Sequence, residues 1–140
     1  MDSETVGDEQ AVDHLLRTPG HWAVVGLSDN TARPAYDVAA YLQRIGHRIT
    51  PVHPSAATVH GAPGVARLGD IDGPVDVVDL FVSSARVGPV VDEAIAVGAR
   101  AVWFQLGVHD EAAAARARTA GLLVVTDRCP AIEGRRRDLG

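Results

Sequence analysis

The residues with the most to offer chemically sit in one polar stretch, Gly26-Leu-Ser-Asp-Asn-Thr-Ala-Arg-Pro-Ala-Tyr36. It follows a short apolar run and contains a proline, Pro34, suited to the first turn of a helix. A glycine here lets backbone come close to a phosphate, and a helix opening near Pro34 offers free amides and a positive dipole end. Ser28 can donate a hydrogen bond, and Arg33 can grip a phosphate through two N–H groups. The full G-x-G-x-x-G fingerprint is absent, because position 28 is Ser and position 31 is Thr. A plain strand-to-helix turn is the competing reading.

Other candidates are sparser. The second apolar run ends Thr50-Pro-Val-His-Pro-Ser55, with no acid to take the ribose hydroxyl of NAD. His53 can instead face an adenosine phosphate or ribose, or serve as an ordinary surface residue. No G-x-S-x-G elbow occurs, and the histidines at 14, 21, 47, 53, 60 and 109 make no H-x-H or H-E-x-x-H pattern. Neither hydrolysis nor a metal site is expected. Asp76 and Asp79 lie three apart on a strand and so face opposite ways. Asp79 is expected to be a structural acid with a backbone or loop partner. Cys129 reads as a buried thiol, or as a thiol beside a thiol-bearing ligand. The run Arg135–Arg137 reads as a solvated tail, with phosphate contact as the alternative.

Composition narrows the chemistry further. All 13 basic residues among the 140 are Arg, so no Walker lysine and no Schiff-base lysine exists. The formal charge of -5 disfavours nucleic acid and anionic membranes as partners. No apolar run approaches the roughly 18 residues of a membrane span. A single cysteine rules out an intramolecular disulfide. Residues 1–10 are acidic, unlike a secretory signal, and are expected to form a flexible arm. A cytoplasmic protein is the expectation.

These residues need a frame to hold them. Apolar runs at 21–27, 48–54, 75–82, 101–106 and 122–126 read as strands, and 65–68 as a short edge strand. Between them Val38, Tyr41, Leu42 and Ile45, then Val87, Val90, Val91, Ala94 and Ile95, mark apolar helix faces. A further alanine-rich helix stops at Gly121. Residues 11–17 suit a short helix that ends before Pro19-Gly20. Strands alternating with helices predict an α/β fold, a single Rossmann-like domain over residues 11–133 with a parallel sheet flanked by helices. The flavodoxin-like strand order is the alternative. Residues 134–140 form an Arg-rich tail. The ligand site of such a sheet lies beyond the carboxyl ends of the strands, at the loops 26–36, 53–55, 81–84 and 105–107.

The stretches Ala23-Val-Val-Gly-Leu-Ser-Asp29 with Arg33-Pro34, Pro51-Val-His-Pro54, Val75-Asp-Val-Val-Asp79, Ala101-Val-Trp-Phe-Gln-Leu-Gly107 and Asp127-Arg-Cys129 together carry a resemblance. The chain resembles the small stand-alone CoA-binding proteins related to the nucleotide-binding domain of the succinyl-CoA synthetase alpha subunit. The resemblance runs from about residue 21 to 133. It implies a Rossmann-type fold that binds coenzyme A or an acyl-CoA. The ADP part would lie at Gly26, Ser28, Arg33 and Pro34 and at the turn His53–Pro54. Phe81, Ser83 and Ser84 would line the pantetheine side, with Gln105, Gly107 and Cys129 as further candidates. The family usually has Asn at His53 and Arg at Val82, so one potential phosphate or carboxylate partner is missing. The synthetase's phosphorylated histidine lies in a region without counterpart here, so ligase activity does not carry over. A non-catalytic, regulatory or carrier module is expected. The alternatives are a detached subunit of an acyl-CoA synthetase, an NAD(P)-dependent oxidoreductase, or an interaction domain with a relict pocket.

Overall fold

Strands that are mainly apolar, with Val the commonest residue, can be covered on both faces, and this chain covers them with helices. The computed structural model describes residues 3–140. In chain order it has α1 Ser3–Arg17, β1 His21–Val25, α2 Pro34–Arg44, β2 Arg48–Val52 and a single 3-10 turn at Leu68–Asp70. Then follow β3 Val77–Leu80, α3 Ser84–Ala96, β4 Ala101–Phe104, α4 Glu111–Thr119, β5 Leu123–Val125 and α5 Pro130–Arg136. The five strands form one parallel sheet in the order β2-β1-β3-β4-β5. The chain moves outward from β1 to β2 and then returns to β3, so the order reverses between β1 and β3. That reversal opens a crevice at the strands' carboxyl ends.

Alternation along the strands divides the core into two layers. Trp22, Val24, Trp103 and Val125 pack with Val12 and Leu16 of α1 and with Tyr41 and Leu42 of α2. Ala23, Val78, Leu80 and Phe104 pack with Val87 and Val91 of α3 and with Ala113 and Ala117 of α4. Two indoles supply most of the aromatic bulk. Trp22 and Trp103 meet at 5.5 Å between ring centroids, and Trp103 Nε1 donates to the Arg128 carbonyl at 2.8 Å. At the opposite end of the sheet His47 accepts from Gly20 N–H at Nδ1 and donates from Nε2 to the Leu16 carbonyl, which fixes the neutral tautomer. Burial pushes its pKa down.

Three expectations need correction. Residues 65–68 do not form a strand. Only Val65 bridges to Val52, because Leu68 turns inward at once to pack under α3. Counting that bridge as a vestigial strand restores the Rossmann order; without it, the order matches the flavodoxin-like one. The flexible arm expected over 1–10 is helical from Ser3, with Met1 and Asp2 outside the described residues. The solvated tail is largely α5. Gly134 lies against Tyr41, where a Cβ would strike the phenol, and Arg137 is tied to Glu9 and Glu133.

Asp79 also departs from expectation. It lies in the middle of β3, fully buried, and neither carboxylate oxygen has a hydrogen-bond partner. Burial pushes its pKa well up; the Leu80 amide opposes this, but not at hydrogen-bonding geometry. The native state therefore holds a proton that the unfolded chain releases near pH 3.8. Stability falls as pH rises from there through the native pKa. Asp79→Asn is expected to raise the melting temperature at pH 7–8, with the gain vanishing toward pH 4. Thermal melts of both proteins across pH 4–8 check this; a gain independent of pH would remove the protonation account.

Candidate functional site

The crevice is built around the end of β1. Gly26 takes φ +100 and donates its N–H to the Val52 carbonyl at 2.8 Å, while Phe81 donates its own to Val25 at 2.9 Å. A side chain at Gly26 would collide with the Phe81 carbonyl. The glycine is therefore required by the close approach of β3 as well as by its backbone angle. After it the chain folds on itself. Ser28 Oγ accepts from Asn30 N–H at 3.2 Å, and Asn30 Oδ1 accepts from Ala32 N–H at 3.0 Å. These side-chain turns deliver Arg33 to the N-cap of α2 with Pro34 following it. Arg33 and Pro34 are both exposed.

The second wall is the turn after β2. The His53 N–H donates to Val65, and Ala56 N–H donates back to the His53 carbonyl at 2.8 Å. His60 holds this excursion to α2. Its Nε2 donates to the Tyr36 carbonyl at 2.6 Å, and its ring lies 4.3 Å from the Tyr36 ring. Pro54 and Ser55 are exposed beside it.

The third wall runs from β3 to β5. Phe81 is half-buried against the core layer of α1 and α2. Ser84 Oγ accepts from His109 N–H at 2.9 Å and donates to Gly107 O at 3.4 Å, so it ties α3 to the loop after β4. Ser83, the N-cap of α3, makes no side-chain cap. Gly107 N–H is held by Asp127 Oδ1 at 2.9 Å, with Asp127 itself at φ +55. Gln105 is buried with its Oε1 unpartnered. Cys129 is buried in the core layer at the N-cap of α5, as the thiol's structural reading expects.

The structure thus places the candidates in a continuous series of tied loops. Gly26, Ser28, Arg33 and His53 gather around β1 and β2, and Phe81, Ser83, Ser84, Gln105 and Gly107 around β3 and β4. Gln105 and Cys129 are the two that are buried. Sequence reasoning missed Arg86, an exposed cation in the first turn of α3, where the helix dipole disfavours it. Its signal was the position three residues after Ser83. Neither Arg33 nor Arg86 is in an ion pair among the described residues. The helices differ in a related way. α4 is capped by Asp110, which accepts from Ala113 N–H at 3.0 Å, whereas α2, α3 and α5 start with no side-chain cap. Two uncapped helix starts with free guanidiniums flank the crevice, an arrangement suited to phosphate.

Comparison with known proteins agrees with this chemistry. The family model described as CoA binding domain matches residues 20–135. The protein YneT of Bacillus subtilis (strain 168) is 33% identical over 118 residues, 84% of this chain and 87% of its own. The crystal structure of Prb, a redesign of the protein PH1109 for binding, superposes with a TM-score of 0.88 at 34% identity, over 94% of this chain and 93% of that one. The dinucleotide-forming acetyl-coenzyme A synthetase 1 of Ca. Korarchaeum cryptofilum, solved with phosphate and ADP, shares the fold over 26% of its length. There the TM-score is 0.68 at 23% identity, over 78% of this chain.

The contact at Gly26 generates a direct expectation. Gly26→Val should lower stability by about 2 kcal/mol or more, since overpacking and a strained φ act together. Urea denaturation checks it. A variant as stable as the parent would mean that β3 tolerates displacement at Phe81.

Proposed function

We propose, from the premise that this chain belongs to the CoA-binding domain family, that it binds coenzyme A or an acyl-CoA as a non-catalytic module. The observation that carries the reading is the uncapped start of α2 beside Gly26, with the unpaired Arg33 at its N-cap. Bare backbone, free amides and a guanidinium together suit a pyrophosphate. No acid stands at the end of β2, which disfavours a free adenosine ribose as in NAD.

The side chains that could serve catalysis are otherwise engaged. Ser84 Oγ ties two loops together, and Ser28 Oγ supports its own turn. His53 Nδ1 is bonded to Ser55, and Cys129 is shielded. Of these, only His53 and Ser55 put an imidazole within hydrogen-bond reach of a hydroxyl, at 2.8 Å, and no third side chain among the described residues bonds the other ring nitrogen to orient it as a base. A carrier or regulatory role for a CoA-linked signal follows from binding without turnover. On this reading Phe81 and Ser83 border the pantetheine arm, and Gln105 lies beside it.

Ligand-induced stabilisation tests the proposal. A ligand at a hundredfold excess over Kd adds about 2.7 kcal/mol to a folded protein. For a domain of this size that is a melting shift on the order of 10 °C. CoA is expected to give such a shift and NAD little, at fixed pH and salt. Arg33→Ala should weaken CoA roughly tenfold by calorimetry, as loss of a charge-assisted bond does. A shift with NAD alone would replace this reading with that of an oxidoreductase.

A further inference from the structure

We infer that the outer edge of β2 is a docking site for an extended peptide of another protein, one in which basic residues alternate with small apolar ones. The main-chain groups of β2 carry the first half of the case. β2 is an edge strand, paired only with β1. Arg48 N–H goes to the Gly20 carbonyl and the Val52 carbonyl takes Gly26 N–H, so residues 48, 50 and 52 bond toward β1. Ile49, Pro51 and His53 point their main-chain groups the other way. There Val65 gives its N–H to Pro51 and takes that of His53, which closes the carboxyl end of the edge. Ile49 is left over. Its N–H and carbonyl have no partner among the described residues, although the residue is buried.

Ile49 lines a groove of about 460 Å³ whose two walls differ in chemistry. Ala62 and Pro63 form one, on the side of the α2 core layer. Asp70 and Asp72 flank Ile71 on the other, on the side of the α3 layer, and Arg48 adds a single cation at the start of the strand. Asp70, Asp72 and Arg48 are exposed, and none is in an ion pair among the described residues. Glu93, which accepts from Gly69 N–H, brings a third acid to this wall. An extended chain laid along Ile49 satisfies both of its main-chain groups, and its side chains then alternate between the walls. Basic side chains meet the acids, and small apolar ones meet Ala62 and Pro63. A second copy of this chain fits less well. Pro51 has no N–H and that of His47 is spent on Leu42, so a ladder between two β2 strands would end after one pair. The walls must supply the rest, and a peptide can fill them where a second groove cannot.

Calorimetry on the full chain with two blocked pentapeptides, one alternating valine with lysine and one valine with glutamate, tests the docking site. The lysine peptide should bind about tenfold or more tightly than the glutamate peptide. Asp70→Asn together with Asp72→Asn should weaken the lysine peptide about fivefold, as loss of exposed charge pairs does. Asp70→Lys together with Asp72→Lys should reverse the preference, in a protein that melts as the parent does. The lysine peptide N-methylated throughout its backbone should not bind, because it has no donor for the Ile49 carbonyl. Equal binding of the N-methylated form would reduce the contact to charge attraction and overturn the inference. So would a folded parent that binds neither peptide, or both alike. A parent that sediments as a dimer and separates when the lysine peptide is added would make a second copy the occupant, and would overturn it as well.

Discussion

The architecture turns on how near two backbones come at the end of β1. Val25 receives the amide of Phe81, and the next residue must leave the sheet while β2 still holds its N–H. Only a residue without a Cβ fits, because the Phe81 carbonyl occupies the place a side chain would take. With Gly26 in a positive φ the chain lifts over the carboxyl edge and opens the polar turns of Ser28 and Asn30. Those turns in turn set where α2 begins. The orientation of the uncapped α2 amides therefore follows from a packing constraint inside the sheet.

A second constraint acts from the far side of the molecule. Glu133 of α5 is buried and receives Arg128 at 3.0 Å and Arg137 at 3.2 Å, while Glu9 of α1 receives the same two arginines at 2.6 and 2.8 Å. Burial works against the charge on Arg128, but its hydrogen bonds to Glu9 and Glu133 outweigh this and raise its pKa. Removing both arginines would leave the Glu133 carboxylate buried with only the exposed Arg136 near it, which costs more than a surface pair contributes. The network joins α1 to the segment between β5 and α5. Through Trp103, which donates to the Arg128 carbonyl, it reaches the end of β4. The β4 and β5 side of the crevice is thus clamped by residues that lie outside it.

The contrast between these two constraints explains what the sequence discloses. The strands are legible because each is a local apolar run bounded by glycine or polar residues, and the helix faces of α2 and α3 because period 3.6 is local too. The loop at Gly26 is legible for the same reason. The start of α1 and the end of α5 are not, since Glu9 and the Arg135–Arg137 run read as polar and the pairs of Glu9 with Arg128 and Arg137 span well over a hundred residues. A charge run read alone looks like a solvated tail. Val65–Leu68 misleads in the opposite sense, as a segment whose Leu68 packs into the core layer of α3 while only Val65 bridges to a strand. Asp79 is invisible for a third reason. A carboxylate in a strand signals a partner, and nothing in the sequence says that its neighbours will be Val24 and Trp103.

Asp79 and the uncapped helix starts belong to one pattern. A sequence optimised only for stability would satisfy each buried acid and cap each helix, as α4 is capped by Asp110. Here Asp79 in β3 and the Gln105 oxygen after β4 are buried without partners, as are Trp22 Nε1 near the start of β1 and the Tyr41 hydroxyl in α2, and the starts of α2 and α3 have no side-chain cap. At the opposite edge the two buried histidines are fully bonded. His21 donates to the Pro74 carbonyl and meets Thr50, its own amide goes to Asp76, and His47 joins Leu16 to Gly20. Uncapped helix starts at the carboxyl edge leave backbone amides that the fold does not spend, and unspent amides are what an anion-binding surface requires. Groups already spent on the protein cannot also be offered to a ligand.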